Sequence, residues 1–445
     1  MSDEHAALRD IPRKLWAYLL SRLLDTAATS GLVFIVGKQI YDMTEGRPEE
    51  QRLLYLGYLG LVQFIPTFVF APFAGSLADR FDRRLVSAGG AAIYALLAMA
   101  LYAYVRTDPT ALAPIYVLMA VQGTTEAFQR PAARALPMDL SPETLITRVM
   151  ALNAASWQTG AIVGPVLAGF LFATAIALPY LVFTAMFAVA TISLLAIPPT
   201  EVERLKTDRR GGGQAIRDAI EGFRFIRKTP VLGAAISLDL FAVLFGGAVA
   251  LLPAIADERL GVDAVGLGWL RAAISIGAAS VTLTLAARPL SRRVGPILLW
   301  SVAVFGAGTI VLGITRNFVV AMIALLVLGG ADSVSVFIRS TLVPLATPEN
   351  MRGRVLALEN VFIGASNELG GFESGATGAL FGLVGAVIFG GAATLGVVAV
   401  FAFVFPALRH VDSFSDVRKT VTPALIPSVI PSGGRSDATE APPSA

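Results

Sequence analysis

The sequence predicts an all-α membrane protein of twelve transmembrane helices, arranged as two six-helix, pseudo-symmetric bundles. Three observations carry this prediction. Of 445 residues, 55% are apolar and only 15% are charged, and the mean hydropathy is +0.69. Soluble domains carry about 25% charge, so this chain has too few polar groups to dress a surface of its size in water. Second, apolar runs of spanning length recur from end to end. Third, features of the first six runs return in order in the last six.

A spanning helix needs about 20 mostly apolar residues. Runs that meet this lie at 15–43, 53–78, 85–106, 112–138, 147–173, 178–198, 230–256, 266–288, 295–315, 318–346, 355–384 and 386–408. The first is too long for a signal-peptide core and has no small-residue cleavage site before it, so it is expected to be a retained helix. Lys and Arg alternate between the connecting loops. One set holds Arg80, Arg83, Arg84, Arg148, the eight basic residues between Arg204 and Lys228, Arg292, Arg293, Arg352 and Arg354. The other set holds Arg47, Arg52, Arg106, Arg259 and Arg316. The positive-inside rule makes the first set cytoplasmic, which puts both termini in the cytoplasm of a multi-pass inner (plasma) membrane protein.

Residues 199–229 divide the chain. They open at Pro198-Pro199 and pass through Gly211-Gly212-Gly213. Ile216, Ile220, Phe223 and Ile226 then recur at helical spacing between Arg217, Glu221, Arg224 and Lys228. This pattern predicts an amphipathic helix on the cytoplasmic membrane face, with a solvated linker helix as the alternative. The expected organisation is therefore a cytoplasmic N-terminus (1–14), a six-helix bundle (15–198), the linker (199–229), a second bundle (230–408) and a disordered cytoplasmic tail (409–445) rich in Ser, Pro and Thr.

The repeat is explicit in places. Arg148-Val-Met-Ala-Leu152 returns as Arg354-Val-Leu-Ala-Leu358. At the same offset Pro142-Glu143 meets Pro348-Glu349, Gly164 meets Gly370, Gly169 meets Gly375, and Glu126 meets Asp332. At slightly larger offsets Leu24-Asp25 answers Leu238-Asp239, and Leu77 answers Leu290. Both halves insert in the same sense, the plan of a parallel repeat.

Two motifs stand out. The loop after the second run reads Gly75-Ser-Leu-Ala-Asp79-Arg80-Phe-Asp82-Arg83-Arg84, and the fifth run contains Gly160-Ala-Ile-Val-Gly164-Pro165-Val-Leu-Ala-Gly169. The first resembles the loop motif of the major facilitator superfamily, and the second the Gly-Pro motif of its exporters and antiporters. The stretches 131–140, 221–232 and 352–375 resemble the enterobactin-exporter-like branch, which exports drugs and siderophores. The likeness runs nearly to the tail. It departs at Asp82, where Gly is commoner, at the second-half loop Leu290-Ser-Arg292-Arg293-Val-Gly295, which lacks the acid, and at Val121-Gln122-Gly123, which lacks an Arg one turn earlier.

Physically, Asp79 can accept hydrogen bonds from a helix N-terminus, and the resemblance implies that this is the start of the eleventh run. Such a latch would favour one of two global states. Arg80, Arg83 and Arg84 would meet lipid headgroups or nearby acids. The alternative is a plain topology loop. Gly160, Gly164 and Gly169 permit close backbone approach beside the Pro165 bend, which fits gating or ordinary helix packing.

Charges inside spans are expensive and so informative. Asp25 and Arg22 lie on the first run, Glu126, Arg130 and Arg134 on the fourth, Asp239 on the seventh, and Asp332 and Arg339 on the tenth. The resemblance implies that these four helices line a central cavity. Each would then present an acid able to carry a proton. Asp25 and Glu126 each have a cation one turn away, so structural pairing, Arg22 with Asp25 and Glu126 with Arg130, competes with coupling. Asp239 and Asp332 are expected to lack a nearby cation. Arg130 or Arg339 could instead hold an anionic solute group. Glu359, Glu368 and Glu373 form a further acidic set.

Other chemistry is poorly supported. The chain has no Cys and two His, His5 and His410, both outside the apolar runs. A metal site, a cofactor and a His base are not expected. The string Gly31-Leu-Val-Phe-Ile-Val-Gly37-Lys38-Gln39 fails as a phosphate loop in spacing and lacks the closing Ser or Thr. Neither an enzyme nor nucleic-acid binding is expected. The expectation is a monomeric, proton-driven exporter of amphiphilic small molecules working by alternating access. Its partners would be the solute, protons and membrane lipids. An importing facilitator and a non-transporting receptor are the alternatives.

Overall fold

The computed structural model describes residues 12–199 and 212–414; the side chains of 71–80, 212–216 and Asn350 lie outside the described residues. So do most of the N-terminal segment, the stretch 200–211 and the expected tail from 415 onward. The described residues are helical, with no β-strand among them.

Six long helices form the first part: α1 (Arg13–Met43), α2 (Glu49–Arg80), α3 (Arg83–Val105), α4 (Ala113–Leu140), α5 (Ile146–Thr174) and α6 (Leu178–Leu195). The linker contributes α7 (Gly212–Lys228). The second part begins with α8 (Pro230–Phe245), which continues through a 3₁₀ turn, the short α9 (Leu252–Ala254) and a π turn (Ile255–Arg259). It continues with α10 (Ala264–Ala287), α11 (Val294–Ile314), α12 (Phe318–Leu345), α13 (Glu349–Val404) and α14 (Pro406–Arg409).

By length and hydropathy, ten helical segments among the described residues can cross a membrane. The number is lower than the twelve runs for two physical reasons. Helix α4 carries Glu126, Arg130, Arg134 and Asp139 and is not among the ten. Helix α13 counts once, though its 56 residues contain a break at Gly382 (φ 70°, ψ 170°). An unbroken helix of that length would run about 84 Å, far more than a bilayer core of about 30 Å. Gly382 adopts a backbone conformation that a side chain would resist, and the chain turns back there. Val387 then reaches Gly313 while Gly391 reaches Gly306, so the second segment runs antiparallel to α11.

Within the first part α1 packs on α5 and α6, α2 on α4, and α3 on α4 and α6. Within the second, α10 packs on α12, and α13 on α8 and α11. The main contacts between the parts are α2 on α13 and α5 on α10. One apolar cluster joins α1–α6 to the start of the second part through Leu251, Ile255 and Leu267, and another occupies α8, α11 and α12 around Leu238, Leu298 and Leu342.

The linker helix appears where its apolar spacing predicts it. Ile226 is buried, while Asp218 and Glu221 take Arg354 of α13 at 2.9 and 2.6 Å. Asp82, the departure from the facilitator loop motif, has a structural task. Its carboxylate accepts the Arg84 amide at 2.9 Å and caps α3, one of the orphan donors of a helix start.

Candidate functional site

The glycines of α5 set the helix spacing. A Cβ on Gly160 would lie 2.9 Å from the Ala27 nitrogen, and one on Gly164 would lie 2.2 Å from the Ala27 carbonyl oxygen. That face of α5 is thus pressed against α1. Ser30 also donates to the Gly160 carbonyl at 3.3 Å. One turn beyond Pro165 the contact changes partner, because a Cβ on Gly169 would meet the Ala264 carbonyl at 2.4 Å, across on α10.

The echoing glycines of α13 do the same. A Cβ on Gly370 would lie 2.8 and 3.0 Å from the Val243 and Leu244 carbonyl oxygens of α8, and one on Gly375 would lie 2.5 Å from the Gly57 Cα of α2. In both parts, the fifth helix leans on its own first helix and then on the partner's second.

These cross-contacts lie toward the end that carries loop 44–48. Polar contacts add to them there. Glu49 accepts the Leu383 amide at 2.8 Å, just past the Gly382 break. Arg52 pairs with Glu258 at 3.2 Å and reaches Asp257 at 4.0 Å. Its guanidinium sits 3.8 Å over the Tyr41 ring, and the Tyr41 hydroxyl donates to Glu258. Toward the opposite, linker end the two parts are bridged by Arg134, which donates to Asn360 at 2.7 Å. There Glu126 and Arg130 stay 33% and 51% exposed while pairing at 3.5 Å.

The acids divide into two environments. Asp25 accepts from Gln129 at 3.4 Å, and Gln129 also donates to the Ser87 carbonyl. Among the described residues no ion pair joins Arg22 to Asp25, and Arg22 Nε is buried without a partner. Asp239 is the correction. It was expected to lack a cation, yet Arg339 lies 2.8 Å away. Arg339 also faces Glu359 at 3.6 Å, all three side chains being under 10% exposed. Asp332 lines the same small cavity as Asp239, together with Ser301, Phe305 and Ser335. Arg339 sits one hundred residues from Asp239 in the chain, so only the packing of α12 on α8 reveals the pair.

Other expected residues fall into place unevenly. The side chains of Gly75, Asp79 and Arg80 lie outside the described residues, although α2 runs through them. Arg83 reaches both Asp139 oxygens at 2.9 and 3.0 Å, and Arg84 donates to the Ile197 carbonyl. Glu368 stands within electrostatic reach of Glu126, Arg130 and Arg271, and Glu373 meets the Ser374 hydroxyl at 3.4 Å. Arg271, Gln129 and Gln158 are features the sequence reading passed over. Gln158 donates to the Ser275 carbonyl at 2.6 Å, across the two parts. Arg271 was visible as a charge in an apolar run, but its run is not among the four acid-bearing ones.

Two helix groups pressed together toward one end, with Glu126 and Arg130 partly exposed toward the other, form the body of a polytopic membrane protein. The chain belongs to the Major Facilitator Superfamily, whose family model matches residues 17–371. It is 25% identical to the enterobactin exporter EntS of Escherichia coli K12 over 346 residues, which is 77% of this chain and 81% of the exporter. Its fold is shared by a POT family transporter solved with 5-aminolevulinic acid, at TM-score 0.70 and 12% identity, covering 90% of this chain and 98% of the other. The D-xylose-proton symporter also shares it, at TM-score 0.69 and 14% identity, covering 88% and 97%.

Proposed function

We propose that the chain is a twelve-span, monomeric secondary transporter that exports amphiphilic small molecules, of drug or siderophore type, in exchange for protons. Broken at Gly382, α13 supplies two spans, and α4 supplies the span that hydropathy alone misses because its charges face the interior between two six-helix bundles. By the distribution of Lys and Arg, both termini are cytoplasmic in an inner membrane. The sealed end is then periplasmic, and the accessible Glu126 and Arg130 face the cytoplasm, from which an exporter loads. The siderophore direction and class draw support from the likeness to the enterobactin exporter.

The observation that carries proton coupling is the charge balance around Arg339. Asp239 and Glu359 both pair with one buried guanidinium, and Asp332, in the cavity it lines with Asp239, lies within its electrostatic reach. Full ionisation would leave three negative charges against one positive in a low-dielectric space, which is costly. Proton uptake by these carboxylates removes the excess. A cluster that gains and loses protons as water reaches it from alternate sides can couple the proton gradient to the exchange of states. The gating reading of Gly160, Gly164, Pro165 and Gly169 fits the same cycle, since their contacts with α1 and α10 must slide when the sealed end opens. The Asp79 latch of the loop motif is proposed to hold the opposite end shut in the other state.

Purified protein in liposomes tests this. An imposed pH gradient should drive uptake of an amphiphilic siderophore or drug into acidic-lumen vesicles, with protons leaving as solute enters. Solute binding without flux under any gradient would point to a receptor. Flux indifferent to pH would point to a facilitator, and either outcome removes proton antiport.

A further inference from the structure

Arg271 lies on α10 between two places where that helix touches α5. Three residues before it, Gly268 is packed so closely that a Cβ would fall 2.7 Å from the Pro165 carbonyl. Four residues after it, the Ser275 carbonyl takes the Gln158 amide at 2.6 Å. Positions three and four apart share a helix face, so Arg271 sits on the stripe turned toward the opposite bundle. It is half-buried. Across the interior lie Glu368 of α13 and, beyond it, Glu126 and Arg130 of α4.

The other interior cations are already engaged. Arg339 is neutralised by Asp239 and Glu359, Arg130 pairs with Glu126, and Arg134 bonds Asn360. Arg22 lacks an ion pair, but it sits on α1 within electrostatic reach of the Asp25 carboxylate and of the like charge of Arg134. Among the described residues Arg271 has neither an ion pair nor a hydrogen bond, and only the Glu368 carboxylate acts on it electrostatically. A guanidinium with five donors and no acceptor inside a span is costly. A planar oxyanion supplies the missing acceptors in a bidentate geometry.

We propose that Arg271 is an anion-binding residue of the transport site, so that the exported solute carries a carboxylate, sulfonate or phenolate beside its apolar body. This rests on the export reading for the solute's being amphiphilic and adds its charge. It also reassigns the anion role expected of Arg130 or Arg339 to a helix of the second bundle that faces α5.

Binding measured on the full chain in detergent tests the proposal without any pH gradient, so failure of proton-driven flux leaves it standing. The probes are 4-hexylbenzoate and its cationic match 4-hexylbenzylammonium. The benzoate should raise the thermal midpoint in a saturable way and the ammonium should not. Arg271→Gln should weaken benzoate binding about tenfold or more, the scale of a charge-assisted hydrogen bond. Arg271→Lys should retain part of it, and Arg106→Gln, in an exposed loop, should match the wild type. A second measurement needs no variant: 4-hexylbenzoate should slow phenylglyoxal modification of Arg271, mapped by peptide mass, and leave Arg106 unaffected. Unchanged benzoate binding in Arg271→Gln, loss of binding in Arg22→Gln instead, equal stabilisation by the ammonium, or no protection of Arg271 would each overturn the assignment.

Discussion

Asp25 and Asp239 occupy echoing positions on α1 and α8, yet they live in different surroundings. Asp25 meets the neutral amide of Gln129 and has Arg22 and the partly exposed Glu126 within electrostatic reach, without an ion pair to Arg22 among the described residues. Asp239 meets a guanidinium that is itself buried and shared with Glu359. At the offset of the repeat, Arg339 and Glu359 correspond to Ala133 and Asn153. In the first bundle that pair of positions is served by Tyr18, whose hydroxyl donates to Asn153 at 2.8 Å and reaches the Ala133 carbonyl at 3.4 Å. The scaffold is repeated and the charge is not. One bundle keeps a neutral hydrogen-bonded pair where the other keeps an ionic cluster. Symmetric packing thus leaves room for asymmetric charge, with partly exposed charges in one part and a buried ionic cluster in the other.

The largest expected effect follows from that contrast. Arg339→Gln strands buried carboxylates and should cost about 3–5 kcal/mol, whereas Arg130→Gln, in a half-exposed pair, should cost under about 1 kcal/mol. Thermal or denaturant unfolding of the two purified variants gives the difference directly, and equal losses would erase the distinction between the bundles. Next come the glycine contacts. Gly169→Leu and Gly375→Leu should disfavour the sealed end by about 1–3 kcal/mol, the range for overpacking a tight contact. The chain has no Cys, so Arg52→Cys with Glu258→Cys reports closure by cross-linking with a short bismaleimide in a clean background. Cross-linking should fall in both glycine variants to a similar degree, because the two contacts are counterparts. A drop in only one would break the packing symmetry.

Smaller effects refine the picture. Asp82→Ala removes the cap of α3 and should cost about 1 kcal/mol of stability, with little change in cross-linking. Arg52→Gln loses a partly exposed ion pair and should weaken closure by about 1 kcal/mol or less, read as greater labelling of a Cys placed at position 257 by a membrane-impermeant maleimide.

Much of this was legible in the chain. The apolar runs located the helices, and the drifting echoes anticipated that Gly164 and Gly370, and then Gly169 and Gly375, would play matching parts. The spacing of Ile220, Phe223 and Ile226 foretold α7. Other features depend on which faces meet. The partner of Asp239 comes from α12, and a search for a cation one turn away finds none. Arg271 becomes notable once Gly268 and Ser275 are seen against α5. The difference between twelve runs and ten segments has the same root, since α4 carries four charged side chains and α13 contains a break at Gly382.

The proposed division of labour between the two parts is tested most directly by pH-driven flux in liposomes for Asp239→Asn, Asp332→Asn and Asp25→Asn, each checked for folding by its thermal midpoint. Flux in the first two should fall at least tenfold while solute binding persists, and Asp25→Asn should keep most of its pH-driven flux. Normal coupling in both second-bundle variants, or loss in Asp25→Asn alone, would contradict a coupling centre around Arg339.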